Sequence, residues 1–311
     1  MKSIILTEPG STENLQMVEI EKPAITNGEV LVKVKAISIN PVDVKTRLGN
    51  GVYGRIKTGK PLIIGWDISG IVEVSQSQDF KAGDEVFGMV NFPGHGKGYA
   101  EYVAAPANHL ALKPANISHE QAAAATLAAL TAYQSLVKNA NVQAGQQVLI
   151  HAAAGGVGHF AVQIAKDLDA IVTGTSSTAN KDFVLGLGAD VHIDYKNYDW
   201  ENSPLEFDFV LDTIGGENIG HSIAVTKSGG TLISIPTGLS EAVTEKAKAK
   251  GVNGYFTMVT SSGEDMKVIA EYLQKGIIKP QVSATFPFQN LAAAHQQVES
   301  GRTVGKVIVI L

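Results

Sequence analysis

Residues 147–166 read QVLIHAAAGGVGHFAVQIAK, and this stretch decides the fold. The apolar run at 148–150 predicts a buried strand, and the apolar spacing after Gly158 predicts a helix. Between them, small residues stand at Ala152, Gly155 and Gly158, as a tight strand-to-helix turn requires. In this context a glycine-rich turn indicates dinucleotide binding; a purely structural turn or another nucleotide ligand is the alternative.

The small residues of this turn have separate physical tasks. Gly155 lets backbone amides approach a pyrophosphate, and Gly158 lets the helix pack closely on the strand. The helix N-terminus adds unbonded N–H groups and a partial positive charge, which together favour phosphate. We therefore predict cofactor contacts from Ala154, Gly155, Gly156, Val157 and Gly158.

The pattern around the turn alternates between strand and helix. A capping box at Ser118 and Gln121 starts an Ala-rich stretch that predicts one long helix to about Asn139. The later alternation predicts right-handed βαβ units and a doubly wound parallel sheet of the Rossmann type. The prediction is therefore an α/β chain whose residues 118–261 form a nucleotide-binding domain.

The first part of the chain, residues 1–117, is rich in strands and turns. The segment EVLVKVKA places Val30, Val32 and Val34 on one face, and turns rich in Gly, Pro and Asp separate such segments. This pattern predicts a small antiparallel barrel. The last residues, from about 262 to 311, are expected to complete that domain.

The strand after the turn helix indicates which dinucleotide binds. An NAD site usually has Asp or Glu there to bind the ribose 2′-hydroxyl, but residues 171–177, IVTGTSS, contain no acid. Ser176 and Ser177 stand in its place, Lys181 follows, and Tyr195 ends the next strand pattern. Because no carboxylate repels a 2′-phosphate and a lysine can pair with it, the pattern favours NADPH. The alternative, that the serines cap a helix, is compatible with a phosphate contact.

Composition argues against several classes of function. The chain has 311 residues, 44% hydrophobic and 18% charged, which is enough apolar material for a sizeable core. Its net charge is −5 and it shows no basic stripe, which argues against nucleic-acid binding. Cysteine is absent, which excludes disulfides, a thiolate nucleophile and sulfur-based metal sites. Neither a secretion signal nor a membrane span is apparent, so a soluble cytoplasmic protein is expected.

Several motifs occur in an order that resembles the medium-chain dehydrogenase/reductase superfamily. They are SINPVDVKTRLG at 38–49, LIIGWDISGIVE at 62–73, GDEVFG at 83–88, LTAYQSL at 130–136, HAAAGGVG at 151–158 and the final GKVIV. Over nearly its whole length the chain resembles the zeta-crystallin-like NADPH:quinone oxidoreductases. The resemblance implies a GroES-like antiparallel barrel as catalytic domain beside the Rossmann NADP-binding domain.

The resemblance also implies a zinc-free enzyme. Zinc-dependent alcohol dehydrogenases of the superfamily bind catalytic zinc through a Cys and a Gly-His-Glu motif. Here Asn40-Pro41 stands near the Cys position, and Gly65-Trp66-Asp67 replaces Gly-His-Glu. Without a Lewis acid an alkoxide is not stabilised, whereas an electron-poor acceptor needs no metal. We expect hydride transfer from NADPH to a quinone or other conjugated carbonyl; the alternatives are an enoyl or alkenal double-bond reductase and a non-catalytic NADPH-binding sensor.

The resemblance assigns catalytic roles to three residues. Asn40 and Thr131 are expected beside the nicotinamide, where they would orient its carboxamide at a cleft between the domains. Tyr53 is expected at the same cleft, as a hydrogen-bond donor to the acceptor or the cofactor. The alternatives are a Thr131 hydroxyl bonded to its own helix and a Tyr53 in a surface loop. Tyr53 or solvent would protonate the reduced acceptor.

The resemblance also extends the cofactor contacts and suggests a homodimer. Lys181 and Tyr195 match the family's 2′-phosphate contacts. Thr213 and Ile235 follow parallel strands, whose carboxyl ends bind ligands in open α/β sheets. Family members commonly pair an edge strand of the nucleotide domain, and the apolar segment 251–259, GVNGYFTMV, is the candidate edge here.

Overall fold

The computed structural model describes residues 1–236 and 240–311. They form two compact units, Met1–Leu130 with Val259–Leu311 and Thr131–Met258. The strands and helices, numbered in chain order, have the following bounds. The strands are β1 Lys2–Leu6, β2 Leu15–Glu19, β3 Glu29–Ile39, β4 Asp67–Ser75, β5 Glu85–Met89, β6 Tyr102–Pro106, β7 Leu110–Leu112, β8 Gln147–Ile150, β9 Ile171–Ser176, β10 Val191–Asp194, β11 Phe207–Asp212, β12 Thr226–Ser234, β13 Asn253–Phe256, β14 Val282–Pro287 and β15 Lys306–Ile310. The α-helices are α1 Pro41–Arg47, α2 Tyr53–Ile56, α3 His119–Ala124, α4 Leu127–Tyr133, α5 Gly158–Asp167, α6 Lys181–Gly186, α7 Asn218–Val225, α8 Glu241–Ala249, α9 Gly263–Lys275 and α10 Leu291–Glu299.

The first unit is built on a mainly antiparallel sheet. Its strand order is β14-β15-β3-β4-β5-β7, with β6 also paired to β3, and only β14 and β15 run parallel. The central strand is β3, whose predicted inner face of Val30, Val32 and Val34 is buried. Leu31 is buried as well, because β3 is covered on both faces along part of its length.

The second unit contains a six-stranded parallel sheet in the order β10-β9-β8-β11-β12-β13. The order reverses direction beside β8, which makes this a doubly wound sheet, as predicted. One face carries a buried apolar cluster that includes Leu149, Phe207, Val210 and Leu232. The edge strand β13 lies within the segment that the sequence analysis assigned to an edge.

The single long helix predicted after Ser118 is wrong. The capping box forms, with Gln121 N–H donating to Ser118 Oγ, but α3 ends at Ala124. The Thr126 hydroxyl donates back to the carbonyl of Ala123 (2.8 Å), and Leu127 N–H donates to Asp67 Oδ1 (3.0 Å). Because a side-chain acceptor takes this amide, the helical ladder is interrupted.

The chain resumes as α4 and then as a π-helix, Gln134–Asn139. The predicted domain limits, 117/118 and about 261/262, stay a prediction; the compact units divide at Leu130/Thr131 and Met258/Val259. The small helix α3 belongs with the first unit because Ala123 and Ala124 pack on Ala36 and Ile308 of its sheet. Over residues 1–236 and 240–311, no helix is long and apolar enough to cross a membrane.

Candidate nucleotide site and buried polar cluster

The glycine-rich turn connects β8 to α5 at the centre of the parallel sheet. Ala152 begins the turn in a left-handed conformation with φ of 47°. Gly155 N–H donates to the Ala152 carbonyl (2.8 Å), and Ala153 N–H donates to the carbonyl of Thr175 on β9 (2.8 Å). These bonds hold the backbone of the turn against two strands, so its shape is set before any ligand binds.

Steric limits explain why the turn uses glycine. A Cβ atom on Gly158 would lie 2.2 Å from the Ala152 carbonyl oxygen, and one on Gly155 would lie 3.1 Å from it. The first distance is impossible for a real side chain. Gly158 is therefore required for the start of α5 to pack against the turn.

The turn presents several backbone donors with no protein acceptor. In the part of the chain that the structure describes, the amides of Ala154, Gly156, Val157 and Gly158 donate to no protein atom. They stand at or just before the N-terminus of α5, where the helix dipole favours negative charge. Buried or half-buried amides need acceptors, and a pyrophosphate supplies several. The turn therefore fits a dinucleotide.

The two serines after β9 differ in environment. Ser176 is 5% exposed; its hydroxyl donates to the Ser177 carbonyl (3.1 Å), and its oxygen lies 2.8 Å from Nε2 of His192 on β10. Ser177 is half-buried and stands at an N-cap position, but its side chain makes no capping bond. Ser177 is thus the serine whose hydroxyl faces no protein partner here. The sequence alone did not indicate the contact between Ser176 and His192.

Charges at this end of the sheet are mixed. Lys181 is exposed at the first position of α6, and its ammonium has no partner among residues 1–236 and 240–311. Tyr195 is 48% exposed directly after β10. Asp194 accepts from the Thr178 hydroxyl (2.5 Å) and from Asn197 Nδ2 (3.0 Å), and these bonds lower the pKa of its carboxyl. Burial lowers the pKa of the neighbouring His192; the Lys181 ammonium lowers it further, and the Asp194 carboxylate raises it.

The two residues predicted after the next strands are placed as follows. Thr213 follows β11, and its hydroxyl donates to the carbonyl of His151 at the end of β8 (2.8 Å). Ile235 follows β12, and its amide donates to the Asp212 carbonyl (3.0 Å). Both lie at the carboxyl edge of the parallel sheet, but the Thr213 hydroxyl already has an acceptor there.

Asn40 lies in the first unit, between β3 and α1, and is 1% exposed. Its backbone N–H donates to Asp43 Oδ2 (2.8 Å), which closes a capping box on α1. Its side-chain Nδ2 donates to Asp67 Oδ2 (2.8 Å), and its Oδ1 accepts from the Lys306 ammonium. The Asn40 side chain, which was predicted beside the nicotinamide, is thus hydrogen-bonded to the buried Asp67 and Lys306 side chains.

Lys306 is the first residue of β15 and is buried. It is 3% exposed, and its ammonium also lies 3.4 Å from the Ile39 carbonyl oxygen. Burial lowers its pKa, while the charges of Asp67 and Asp43 raise it. Burial raises the pKa of Asp67, and Lys306 opposes that change. Lys306 and Asp67 are thus linked through the buried Asn40 carboxamide and act on each other electrostatically, without a direct salt bridge among the described residues.

Asp43, to which the sequence analysis gave no role, extends the same cluster. Burial, and then the charge of Asp67, raises the pKa of Asp43 to about 7. The Tyr99 hydroxyl lies 2.9 Å from Asp43 Oδ1 and 2.8 Å from Nε2 of His295 on α10. Burial lowers the pKa of His295 to about 3. The spacing Asn40-x-x-Asp43 was the available signal, since it is a capping-box spacing.

The remaining predicted catalytic residues occupy different settings. Tyr53 is half-buried at the start of α2, and its hydroxyl makes no hydrogen bond to the described chain. Thr131 is 3% exposed on α4.

Trp66 stands where zinc-dependent enzymes have a histidine, and its Nε1 donates to the Gly94 carbonyl (2.7 Å). Within residues 1–236 and 240–311, no group of three or more His, Cys, Asp or Glu side chains is arranged to hold a metal ion.

Two family profiles match the chain. Residues 26–115 match the alcohol dehydrogenase GroES-like domain, and residues 187–309 match the zinc-binding dehydrogenase family. The first match falls in the antiparallel unit. The second begins at the end of α6 and continues to β15.

Curated relatives align over almost the whole chain. A 2-methylene-furan-3-one reductase of Solanum lycopersicum is 36% identical, covering 99% of this chain and 79% of its own. An NADPH-dependent alkenal/one oxidoreductase of Arabidopsis thaliana is 35% identical with the same coverage. The human quinone oxidoreductase is 30% identical, covering 100% of this chain and 98% of its own.

Solved structures share the fold. The quinone oxidoreductase of Coxiella burnetii has a TM-score of 0.94 at 34% identity, covering 100% of this chain and 99% of its own. A mycobacterial protein complexed with NADPH has a TM-score of 0.87 at 30% identity, with both chains fully covered. The predicted combination of a GroES-like unit and a Rossmann sheet is confirmed.

Proposed function

The chain belongs to the medium-chain dehydrogenase/reductase superfamily, among the zeta-crystallin-like quinone oxidoreductases, and we propose that it transfers hydride from NADPH to a quinone or other conjugated carbonyl. The observation that carries the proposal is the turn between β8 and α5. Its unbonded amides at 154, 156, 157 and 158 suit a pyrophosphate, and no acid ends β9. NADPH, when bound, supplies the hydride.

The chain's own residues bind and orient the cofactor. Ala154, Gly155, Gly156, Val157 and Gly158 would hold the pyrophosphate through backbone amides. The ammonium of Lys181, the hydroxyl of Ser177 and the exposed ring of Tyr195 would meet the 2′-phosphate, with Ser176 as their buried support. Thr213 and Ile235 would approach the cofactor from the carboxyl edge of the sheet.

The roles of Asn40, Tyr53 and Thr131 beside the nicotinamide and the acceptor stay proposals. The engaged carboxamide of Asn40 supports a positioning role, because it ties the end of β3 to Asp67 and Lys306. The Tyr53 hydroxyl supports a donor role, because no described protein atom accepts from it. Reduction of a quinone to a hydroquinone consumes one hydride and one proton, and Tyr53 or solvent would supply that proton.

The proposal includes a zinc-free site. Its support is the chemistry of the side chains that replace zinc ligands. Asn40 is hydrogen-bonded to Asp67 and Lys306, and Trp66 offers an indole N–H, which cannot coordinate a metal. A conjugated carbonyl accepts hydride at a carbon that is already electron-poor, so the reaction does not depend on a Lewis acid.

A double-bond reductase is the second candidate. The Solanum lycopersicum and Arabidopsis thaliana relatives, whose names specify a methylene-furanone and alkenals or enones, are 36% and 35% identical to the chain. The same site would then deliver hydride to the β-carbon of an enone. A non-catalytic NADPH-binding sensor is the third candidate, and it differs by the absence of turnover.

The assembly and location are proposed as a homodimer in the cytoplasm. The support for the dimer is the edge position of β13, with Phe256 39% exposed and Met258 36% exposed beside it. An open, apolar strand edge favours pairing with a second copy. The net charge of −5 agrees with a small-molecule substrate and no nucleic-acid partner.

The test is a steady-state comparison of acceptors with NADPH and NADH. We expect turnover with NADPH on 1,4-quinones or on short enones, and the preferred group distinguishes the first two candidates. Exhaustive chelation should leave the rate unchanged, and restoration of a lost rate by zinc would overturn the zinc-free proposal. NADPH binding without turnover on either group would favour the sensor. Sedimentation of a monomer at micromolar concentration would overturn the dimer.

A further inference from the structure

The proposed 2′-phosphate contacts of the second unit carry less positive charge than the phosphate carries negative charge. A phosphomonoester carries a charge of about −1.5 to −2 at neutral pH. The proposed contacts provide one cation, Lys181, and the nearby Asp194 carries a negative charge. Of the further cations in this region, Lys196 is exposed directly after Tyr195 and acts on Asp194, whereas the His192 ring contacts the Ser176 hydroxyl itself. His192 is therefore the candidate for a positive charge built into the serine contacts.

The His192 ring contacts the protein through one nitrogen, Nε2. The Ser176 hydroxyl has one hydrogen, which it donates to the Ser177 carbonyl. In the tautomer that agrees with this bond, Nε2–H of His192 donates to the Ser176 oxygen, which lies 2.8 Å away. That tautomer carries its lone pair on Nδ1, which has no hydrogen-bond partner in the described chain. The ring is fixed behind the serines with one nitrogen ready for protonation.

Few charged groups face this ring. Strand β9 offers only Ser176 and the backbone of Gly174, and β10 itself contributes Asp194. The helix α6, which packs on β10, contributes Lys181 and, in its first turn, Asp182. Burial and the charge of Lys181 lower the pKa of His192, and Asp194 raises it. Without a ligand, the ring is held neutral.

We infer that His192 is a specificity-determining residue of the nucleotide site, which becomes protonated when a 2′-phosphate binds and so strengthens NADPH over NADH. The phosphate neutralises the repulsion from Lys181 and attracts the imidazolium. One proton passes from solvent to Nδ1, and no other bond changes. His192 acts through its charge and through the Ser176 hydroxyl, without needing to touch the phosphate. This inference rests on the proposed NADPH function.

The test is calorimetric titration of NADPH and NADH in two buffers of different ionisation enthalpy. His192→Gln keeps an amide N–H for Ser176 and removes the titratable charge. We expect wild-type protein to take up more protons per NADPH than His192→Gln, with no difference for NADH. The titrations are made at about pH 7.5, where a phosphate that ionises near pH 6 is already mainly a dianion in both proteins. The matched control, His221→Gln, changes an exposed histidine and should behave as wild type.

The pH dependence of NADPH affinity measures how much His192 contributes to binding. At pH 6, His192→Gln should bind NADPH about five- to tenfold more weakly than wild type, as expected for a nearby but solvent-screened charge pair. At pH 8.5 the two should bind alike, because His192 of the wild-type complex is then neutral, like the glutamine that replaces it in the variant. If the variant does not fold, the Cε1–H signal of His192 in wild type should titrate at higher pH with NADPH bound.

Three outcomes would overturn the inference. They are equal proton uptake by wild type and His192→Gln, an unchanged ratio of NADPH to NADH affinity across pH, and a His192 signal that NADPH does not move. A protein that binds neither NADPH nor NADH would instead overturn the proposed function. The two failures are therefore distinguishable.

Discussion

The glycine-rich turn of the second unit and the buried cluster of the first unit use polar groups in opposite ways. At the turn, backbone amides at 154, 156, 157 and 158 and the Lys181 ammonium face no protein acceptor. In the cluster, Asp67 and Lys306 each bond to the Asn40 carboxamide, and all three residues are almost fully buried. Unpaired donors at a helix start indicate a ligand, whereas paired buried charges hold a fold in one arrangement. This contrast separates binding from stability and can be tested by substitution.

The largest expected effect is on stability, from Lys306→Met. The change removes the cation that faces Asn40 Oδ1 and leaves Asp67 buried without its counter-charge. Breaking a buried ion pair from one side costs about 3–5 kcal/mol of unfolding free energy. Urea denaturation of the variant and of the exposed control Lys33→Met measures it. A loss no larger than that of the control would show that the cluster does not stabilise the first unit.

The next effect is a pH dependence of stability from Asp43. Its pKa in the folded protein is about 7, above the ordinary value of 3.8, so the folded state holds this proton more tightly. The associated stabilisation is complete below about pH 4 and is lost as pH rises through 7, with an upper bound of about 4 kcal/mol. Denaturation curves between pH 4 and 8 should show this decline in wild type.

Asp43→Asn provides the comparison for that pH effect. Its amide mimics the protonated carboxyl, since the oxygen accepts from Asn40 N–H and the nitrogen donates to the Tyr99 hydroxyl. Tyr99 then donates to Nε2 of His295, which burial keeps neutral. The variant should lose the decline between pH 4 and 7. If wild type and variant show the same slope, Asp43 does not titrate in this range.

A smaller effect is expected from Gly158→Ala at the turn. The new Cβ would lie 2.2 Å from the Ala152 carbonyl oxygen, so the backbone must shift. Overpacking of this kind costs about 1–3 kcal/mol, and the displaced amides should also weaken NADPH binding. Gly186→Ala is the control, because no atom lies within 4 Å of its added Cβ. Thermal unfolding and fluorescence titration would both be needed, and unchanged NADPH affinity would show that the cofactor does not use this turn.

The turn and the parallel sheet were predictable because their signals are local. Small residues at 152, 155 and 158 and the change from strand to helix spacing lie within one short segment. The sheet order then follows from the handedness of successive βαβ units. The steric need for Gly158 agrees with the packing reason given from sequence.

The buried cluster was not predictable because its contacts are distant in sequence. Asn40 meets Asp67 27 positions away and Lys306 266 positions away. Lys306 opens an otherwise apolar strand, which gives no sign that its ammonium turns inward. The break after Ala124 was hidden for the same reason, because the acceptor that takes the Leu127 amide is Asp67. Helix propensity alone favours continuation through that Ala-rich segment.

The smallest expected effect, on cofactor choice alone, comes from Lys181→Ala. The Lys181 ammonium is exposed and makes no hydrogen bond or ion pair within the described chain, so its removal should leave stability nearly unchanged. Against a 2′-phosphate it forms a charge-assisted hydrogen bond worth about 1–2 kcal/mol at an exposed site, and NADH has no such phosphate. Paired titrations should therefore show NADPH weakened about five- to thirtyfold and NADH unchanged, with Lys248→Ala, an exposed lysine on α8, as the control. Equal weakening of both cofactors would place Lys181 outside the phosphate site. The unbonded amides of the turn would then be the remaining support for cofactor binding by the second unit.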